Sequence, residues 1–486
     1  MKNAFSHPAL SCLLLGVLLQ PCNASIAREQ VAAGSGPTPN EPRNIILIIG
    51  DGMDDQQISI ARNYLQGASG RLTLDQMPLR AAMGVLTIED EVGGQPVYVA
   101  DSANTATSIA TGAVTSRGRI ATTAGTDKDL VTIAELAAAA GYRTGIVTTA
   151  SVTDATPASF AAHVSMRLCE GPDTMVDISY RDIPLGGCPA DLLANGGRGS
   201  ISQQLANSAL DVLLGGGRKH FEQTAESAPG VSTTSEGNKS VLDLARQRGF
   251  QVVTTTAELS SAPSQGRLLG LFSPGTMPVR LQGEDGRAAE HAKPSLLNRV
   301  HRYLGDVSLP PPMECKPNPA VAGVPDLQQM ADVALAHLSS DNARGFFLMI
   351  ESASIDKQAH ERKPCGSIGE LQQLEEALAS ALAFAKTQAH TLVIVTADHS
   401  QAAQLLPAQS LYAAFPIPIY SPGMVARIRT PEGSLMAVNY ATNNFSHEEH
   451  TGANVPLFSN EEGRKLLPSY LVQPELFGIM RDYLSL

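Results

Sequence analysis

Charged residues are scarce in this chain of 486 residues, and acidic ones outnumber basic ones. Asp, Glu, Lys and Arg make up 17% of the sequence and apolar residues 43%, a balance that argues against general disorder and allows a sizeable core. The formal net charge of −12 does not favour a nucleic acid partner, because phosphate backbones call for clustered Lys and Arg. A bound anion would therefore depend on local positive charge, from metal ions or from a placed arginine.

The sequence also lacks an internal repeat and any apolar run long enough to span a membrane. Its one continuous apolar stretch near the start, residues 10–19, follows Lys2 and precedes Pro21-Cys-Asn-Ala24, which is typical of an export signal. We therefore expect a signal peptide at 1–24, a flexible leader at 25–42 and a single domain at 43–486. The processed protein would be periplasmic or secreted, with no membrane partner.

Cysteine is limited to six residues, and no C-x-x-C motif is present, so a cysteine zinc site is disfavoured. Two of the six lie inside the predicted signal peptide. An even number of remaining cysteines in an exported protein indicates two disulfides. Pairing between neighbours in sequence would give Cys169–Cys188 and Cys315–Cys365, and buried free thiols are the alternative.

Strand patterns alternate with helical patterns along the chain. Apolar, β-branched runs occur at 44–49, 144–149, 211–214, 346–350 and 391–396. Helices are predicted at 130–140, before Gly141, and at 369–387. This alternation predicts an α/β fold with a mostly parallel central sheet and helices on both faces. Residues 221–325, rich in Pro, Gly, Ser and Thr, are expected to form an irregular insertion, as a subdomain or long loops.

Acidic and imidazole side chains lie at the ends of three of these predicted strands. They are Asp51; Glu351, with Asp356 and His360 four residues apart on a following helix; and Asp398 and His399. Sites in open α/β sheets form outside the carboxyl ends of the strands. A single such Asp can be a turn or helix cap, but this many together favour metal binding, with more than one cation in reach.

A possible nucleophile, Ser102, begins an Ala- and Thr-rich stretch that runs to Thr111. A helix N-terminus stabilises an alkoxide or a bound phosphate, although Ser is also a common helix cap. Asp154 and Thr156 offer oxygen ligands suited to Mg²⁺, or else form a turn. Arg167 can bind two phosphate oxygens, or else be a surface residue.

Six short runs together resemble the bacterial periplasmic alkaline phosphatases. They lie at 44–53, 101–103, 154–158 with 162–164, 351–360, 396–399 and 449–452, and so extend over most of the chain. The resemblance implies an alkaline phosphatase-like fold and hydrolysis of phosphate monoesters to alcohol and inorganic phosphate through a phosphoserine. It also implies two zinc ions, one magnesium ion and a homodimer.

The same resemblance implies a role for each matching residue. Ser102 is the nucleophile, Arg167 holds the phosphate, and Lys357 reaches it through water. One zinc is held by Asp356, His360 and His450, with His447 as a spare imidazole nearby. The second zinc is held by Asp51, Asp398 and His399, with Ser102 as its fourth contact. Magnesium is held by Asp51, Asp154, Thr156 and Glu351. The disulfides of the family map onto Cys169–Cys188 and Cys315–Cys365.

Other functions fit the sequence less well. A sulfatase needs x-Pro-x-Arg after its modified residue, and Ser102 is followed by Ala-Asn-Thr-Ala. A phosphodiesterase would need room for a second ester group where Arg167 lies. No G-x-S-x-G motif of a triad hydrolase surrounds Ser102. A non-catalytic binding protein would leave that serine unexplained.

Overall fold

The structure is a computed structural model that describes residues 41–180, 183–225, 239–301, 304–305, 307–408 and 422–486. The predicted signal peptide and all but the last two residues of the predicted leader lie outside the described residues. The proposed division of the chain at 24 and 42 therefore stays a prediction.

Ten strands of the described residues form a central sheet. They are β1 (Asn44–Gly50), β2 (Leu79–Gly84), β3 (Arg143–Ser151), β4 (Val212–Gly216), β5 (Phe250–Val253), β6 (Arg267–Leu271), β7 (Phe346–Ser352), β8 (Thr391–Ala397), β9 (Val455–Ser459) and β10 (Tyr470–Val472). Their order is β10-β2-β9-β8-β1-β7-β3-β4-β6-β5. All neighbours pair in parallel except β9, which runs against both β8 and β2. This confirms the predicted α/β class.

Helices cover both faces of the sheet. They are α1 (Asp55–Leu65), α2 (Ser102–Thr111), α3 (Ile133–Ala139), α4 (Ala155–Ala158), α5 (Ile201–Asn207), α6 (Arg218–Phe221), α7 (Val241–Gln247), α8 (Thr256–Ser260), α9 (Leu296–Val300), α10 (Leu327–Ser339), α11 (Ser354–His360), α12 (Pro364–Thr387), α13 (Glu461–Arg464) and α14 (Gln473–Leu484). None of these helices is long and apolar enough to cross a membrane.

The five predicted strands correspond to β1, β3, β4, β7 and β8, with ends that differ by at most two residues. The two predicted helices are α3 and α12. Helix α3 begins later than predicted because Thr132 caps it, accepting from the N–H of Glu135. Helix α12 begins earlier, at Pro364, since proline is well tolerated in the first turn.

The prediction for residues 221–325 was partly wrong. This segment supplies β5 and β6, the two outermost strands on one side of the central sheet, together with α7 and α8. Strands of four and five residues are too short to show a clear period, so the sequence pattern missed them. Residues 281–317 do form short ladders, some of which join a second sheet with Gln404–Leu406, Met424–Arg429 and Leu435–Tyr440.

Within the part of the chain that the structure describes, two disulfides are present: Cys169–Cys188 and Cys315–Cys365. These are the pairs predicted when each cysteine joins its neighbour in the sequence.

The three central strands β1, β7 and β8 are buried along their whole length. Because both faces of the sheet are covered, each of these strands is a continuous apolar run in the sequence. Gly50, the last residue of β1, lies opposite Ser352 of β7 and Ala397 of β8. The residues that leave these three strands therefore emerge side by side at one edge of the sheet.

Candidate active site

Three residues at this edge form a buried cluster, which we call the Asp51 group: Asp51, Asp398 and His399. One potential ligand atom from each lies within 4.8 Å of the others. His399 Nε2 is 3.3 Å from Asp51 Oδ1 and 3.4 Å from Asp398 Oδ2. Asp398 Oδ1 accepts from the backbone N–H groups of Gly52 and His399, at 3.0 and 2.9 Å. Asp398 Oδ2 is buried and accepts no hydrogen bond, so it is available to a cation.

A second cluster, the Asp356 group, consists of Asp356, His360 and His450. Asp356 and His360 lie on α11 at the predicted i, i+4 spacing, and His450 comes from the loop before β9. His360 Nε2 and His450 Nε2 lie 3.3 and 3.4 Å from the Asp356 carboxylate, and 3.0 Å from each other. The spare imidazole, His447, is absent from both groups, and its Nδ1 lies 3.0 Å from Ser446 Oγ.

The three imidazoles of the two groups are oriented in the same way. Nδ1 of His360 faces the Glu448 carbonyl oxygen, and Nδ1 of His450 lies 2.8 Å from the Ala100 carbonyl oxygen. Nδ1 of His399 lies 3.3 Å from its neighbouring carbonyl oxygen. A backbone acceptor at Nδ1 fixes the proton there and directs the Nε2 lone pair into the cluster, as in metal sites. The His399 and His450 rings stack at 3.6 Å, so the two groups adjoin.

Ser102 lies against the Asp51 group. It is the first residue of α2, and Asp101 rather than Ser102 caps this helix. Ser102 Oγ lies 3.0 Å from His399 Nε2 and 3.5 Å from Asp51 Oδ1, and the residue is 3% exposed. Its hydroxyl therefore has no capping role; it lies at the N-terminus of α2 and contacts the Asp51 group.

Two positively charged side chains, Arg167 and Lys357, face the same region and share one carboxylate. Arg167 donates to Asp154 at 3.0 Å and to Asp101 at 3.1 Å. Lys357 donates to the other oxygen of Asp154 at 2.5 Å. Both side chains are partly exposed, Arg167 to 24% and Lys357 to 29%, so they border the open side of the site. Arg167 is thus placed by two acidic partners and is not a loose surface residue.

The remaining predicted oxygen ligands are also near this edge. Glu351 is buried in β7, opposite Thr148 of β3, whose hydroxyl donates to its carboxylate. Thr156, in the one-turn helix α4, is buried, and its hydroxyl makes no hydrogen bond. Asp154, by contrast, is held by Arg167 and Lys357 as described above.

The pKa values of the carboxylates shift in both directions. Burial favours higher values, but Lys357 and Arg167 outweigh it at Asp154, and His360 and His450 outweigh it at Asp356, so both of these pKa values are lowered. Burial, together with the negative charges of Asp398, Asp356 and Glu351, raises the pKa of Asp51 well above its usual value. Burial and the charge of Asp154 raise the pKa of Glu351 to about 7. Such carboxylates resist ionisation unless a cation is added, which again points to metal binding.

The pKa values of two of the imidazoles shift in opposite directions. Burial lowers the pKa of His399 to about 4, so this ring stays neutral and can act as a ligand. Burial would also lower the pKa of His450, but the adjacent Asp356 carboxylate outweighs it and raises that pKa to about 9.

Sequence reasoning missed several residues that support the site. Asp101 holds Arg167 and also accepts from the Gly118 N–H at 3.1 Å. Gln401 donates to Asp356 at 2.5 Å. Arg362 and Glu448 form a buried ion pair beside the Asp356 group. The position of Asp101 directly before Ser102 could have indicated that it belongs to the site. The ion pair joins residues 86 positions apart, so the sequence gives no sign of it.

Comparisons with known proteins identify the family of this chain. A sequence profile of the alkaline phosphatase family matches residues 42–465. The streptomycin-6-phosphate phosphatase of Streptomyces griseus is 40% identical, over 92% of this chain and 90% of that protein. The alkaline phosphatase of Escherichia coli is 39% identical, over 94% and 89%. The crystal structure of the Thermus thermophilus alkaline phosphatase superimposes with a TM-score of 0.61 at 21% identity, covering 92% of both chains, which supports the fold. The chain belongs to the alkaline phosphatase family and is a phosphomonoester hydrolase.

Proposed function

We propose that this enzyme hydrolyses phosphate monoesters through a phosphoserine on Ser102, with two zinc ions and one magnesium ion. The observation that carries the proposal is the position of the Ser102 hydroxyl, 3.0 Å from His399 Nε2 and 3.5 Å from Asp51 Oδ1. A Ser–His–Asp triad would need a carboxylate at the far imidazole nitrogen. Here both carboxylates of the Asp51 group lie on the Nε2 side, the arrangement expected of ligands around one cation.

The donor atoms fit the proposed ions. The Asp51 and Asp356 groups combine imidazole nitrogen with carboxylate oxygen, a set that suits zinc. Magnesium prefers oxygen alone, which Asp51, Asp154, Thr156 and Glu351 would supply. The unpartnered Asp398 Oδ2 and Thr156 Oγ1 atoms support one site of each kind. Bound zinc would act as a Lewis acid that lowers the pKa of the serine hydroxyl and offsets charge on the attacking and leaving oxygens.

The residues of the chain would then perform two in-line displacements. Ser102 Oγ, after losing its proton to solvent, attacks phosphorus, the ester P–O bond breaks, and the leaving oxygen takes a proton from solvent as the alcohol departs. Water next attacks the phosphoserine and gives up a proton, the P–Oγ bond breaks, Ser102 Oγ is reprotonated, and inorganic phosphate leaves. Arg167, fixed by Asp101 and Asp154, retains N–H donors for the phosphoryl oxygens, and Lys357 would reach them through water.

We also propose that the enzyme works outside the cytoplasm as a homodimer. The predicted signal peptide and the two disulfides support export to the periplasm or medium, because disulfides persist in oxidising compartments. The homodimer follows from the family resemblance alone.

One assay tests the reaction. Purified enzyme is given a chromogenic phosphate monoester, the matching diester and the matching sulfate ester, each before and after chelation. We expect the monoester to be hydrolysed fastest, with activity lost on chelation and restored by zinc and magnesium. Faster hydrolysis of the diester or the sulfate ester, or full activity in metal-free protein, would contradict the proposal. Acid quenching followed by mass spectrometry should locate the phosphoryl group on Ser102 and nowhere else.

A further inference from the structure

The loop that carries His450 has no helix or strand to hold it. Residues 441–454 connect the strand Leu435–Tyr440 to β9 without a helix or strand of their own. An isolated bridge between Thr451 and Ser400 ties the end of this loop to the residues after β8, but not to α11. His450 Nε2 is nevertheless placed 3.0 Å from His360 Nε2 on α11. Other contacts must therefore fix the loop relative to that helix.

Arg362, two residues after His360, provides the first set of these contacts. It is only 4% exposed, and its guanidinium donates to the carbonyl oxygens of Ser446 and Phe445, at 3.1 and 2.9 Å. Its Nε donates to Glu448 at 2.6 Å. One planar side chain thus holds three points of the loop, a use for which arginine is better suited than lysine.

Glu448 provides the second set. Its side chain is fully buried, and the oxygen that does not bind Arg362 accepts from the N–H groups of Thr442 and Asn443, at 2.7 and 3.2 Å. Its backbone N–H donates to the carbonyl oxygen of His360 at 2.9 Å. Its carbonyl oxygen accepts from His360 Nδ1, the contact that orients this imidazole. Glu448 therefore touches both the loop and the helix of the Asp356 group.

We propose that Arg362 and Glu448 are positioning residues that set the affinity of the Asp356 group for its metal ion. The inference rests on the proposed function, in which that group holds one of two zinc ions. Removal of one member of a buried ion pair leaves an uncompensated charge, so the loop would shift to hydrate it. The Asp51 group is held differently, because its residues directly follow the buried strands β1 and β8. Loss of the ion pair should therefore weaken one zinc site and spare the other.

The test measures zinc bound per chain, by elemental analysis, in buffers of graded free zinc concentration. Wild type is compared with Arg362→Met, which keeps much of the side-chain volume but removes the charge and the donors. We expect one zinc to bind about 10- to 100-fold more weakly, the range for lost outer-shell partners, and the other to bind as in wild type. Arg62→Met is the matched control. Arg62 forms an ion pair of 2.6 Å with Asp75, and its loss should change neither affinity.

Two further variants keep the inference testable if Arg362→Met does not fold. Glu448→Gln preserves shape and should weaken the same single zinc. Arg362→Lys retains charge but not the planar fork, and should fall between wild type and Arg362→Met. Unchanged affinity for both ions in the folded variants, or equal weakening of both, would overturn the inference. A wild-type protein that binds no zinc would instead refute the proposed function itself.

Discussion

Arg167 allows the sharpest test of the phosphate site, because its removal leaves its partners bonded. Without the guanidinium, Asp154 keeps Lys357 and the N–H of Ala155 as donors. Asp101 keeps the backbone N–H groups of Asn104 and Gly118. Arg167→Ala should therefore cost little thermal stability. It would, however, leave Asp101 without a cationic partner, and Asp154 with Lys357 alone, beside an incoming phosphate.

The size of the effect follows from the bonds lost. A hydrogen bond to a charged group contributes about 1.5–3 kcal/mol, and Arg167 can offer two to a phosphoryl group. The Arg167 side chain is 24% exposed, so solvent screens part of the interaction between its charge and the phosphoryl group. We expect a loss of about 2–3 kcal/mol in transition-state stabilisation, which is roughly a 30- to 150-fold fall in kcat/KM with measurable activity remaining.

The assay is steady-state hydrolysis of a chromogenic monoester, with inorganic phosphate as competitive inhibitor. The inhibition constant for phosphate should rise in Arg167→Ala, and Arg167→Lys should recover part of the loss. Arg198→Ala is the control, because Arg198 also pairs with an aspartate, at 2.8 Å, but is 55% exposed and outside the site. Unchanged kcat/KM and phosphate inhibition in Arg167→Ala would remove Arg167 from the site. A large fall in Tm would assign it a structural role instead.

Three further predictions follow. Ser102→Ala should lower turnover about 10³-fold or more while zinc content and Tm stay unchanged, since Asp101 caps the helix; kinetics, elemental analysis and calorimetry check this. Gly52→Ala should weaken zinc binding. Gly52 has φ +67°, and a Cβ there would lie 2.8 Å from Cγ of Gln401, the residue that donates to Asp356. Gly93→Ala is the control for backbone strain alone, because Gly93 has φ +75° but no atom lies near the added Cβ. In metal-free protein the pKa of His450 is about 9, above its value of about 6.5 in the unfolded chain. The charged imidazole therefore stabilises the folded state fully below about pH 6.5, and this stabilisation is lost as the pH rises through 9. Tm should therefore fall between pH 7 and 9, and less steeply in His450→Gln.

The central strands were predictable because burial on both faces leaves an unbroken apolar run in the sequence. β1, β7 and β8 are such runs; Asp51 directly follows β1, Asp398 directly follows β8, and Glu351 is the second-last residue of β7. The outer strands β5 and β6 were missed because four or five residues do not establish a period. Strand order could not be read from the sequence either. β1 lies between β7 and β8, although some 300 residues separate it from each of them.

The Asp51 group and the Asp356 group differ in how much of their geometry can be predicted from the sequence. A residue directly after a buried strand has its place fixed by the register of the sheet, so Asp51, Asp398 and His399 follow from local pattern. His450 follows no such strand, and spacing alone does not separate it from His447. Its loop is held by contacts with residues distant in sequence: Arg362, Ala100 and Ser400. The periodicity of a single sequence does not reveal contacts of this kind. Local patterns thus identify the ligands that the sheet positions, whereas ligands that loops position require the folded structure.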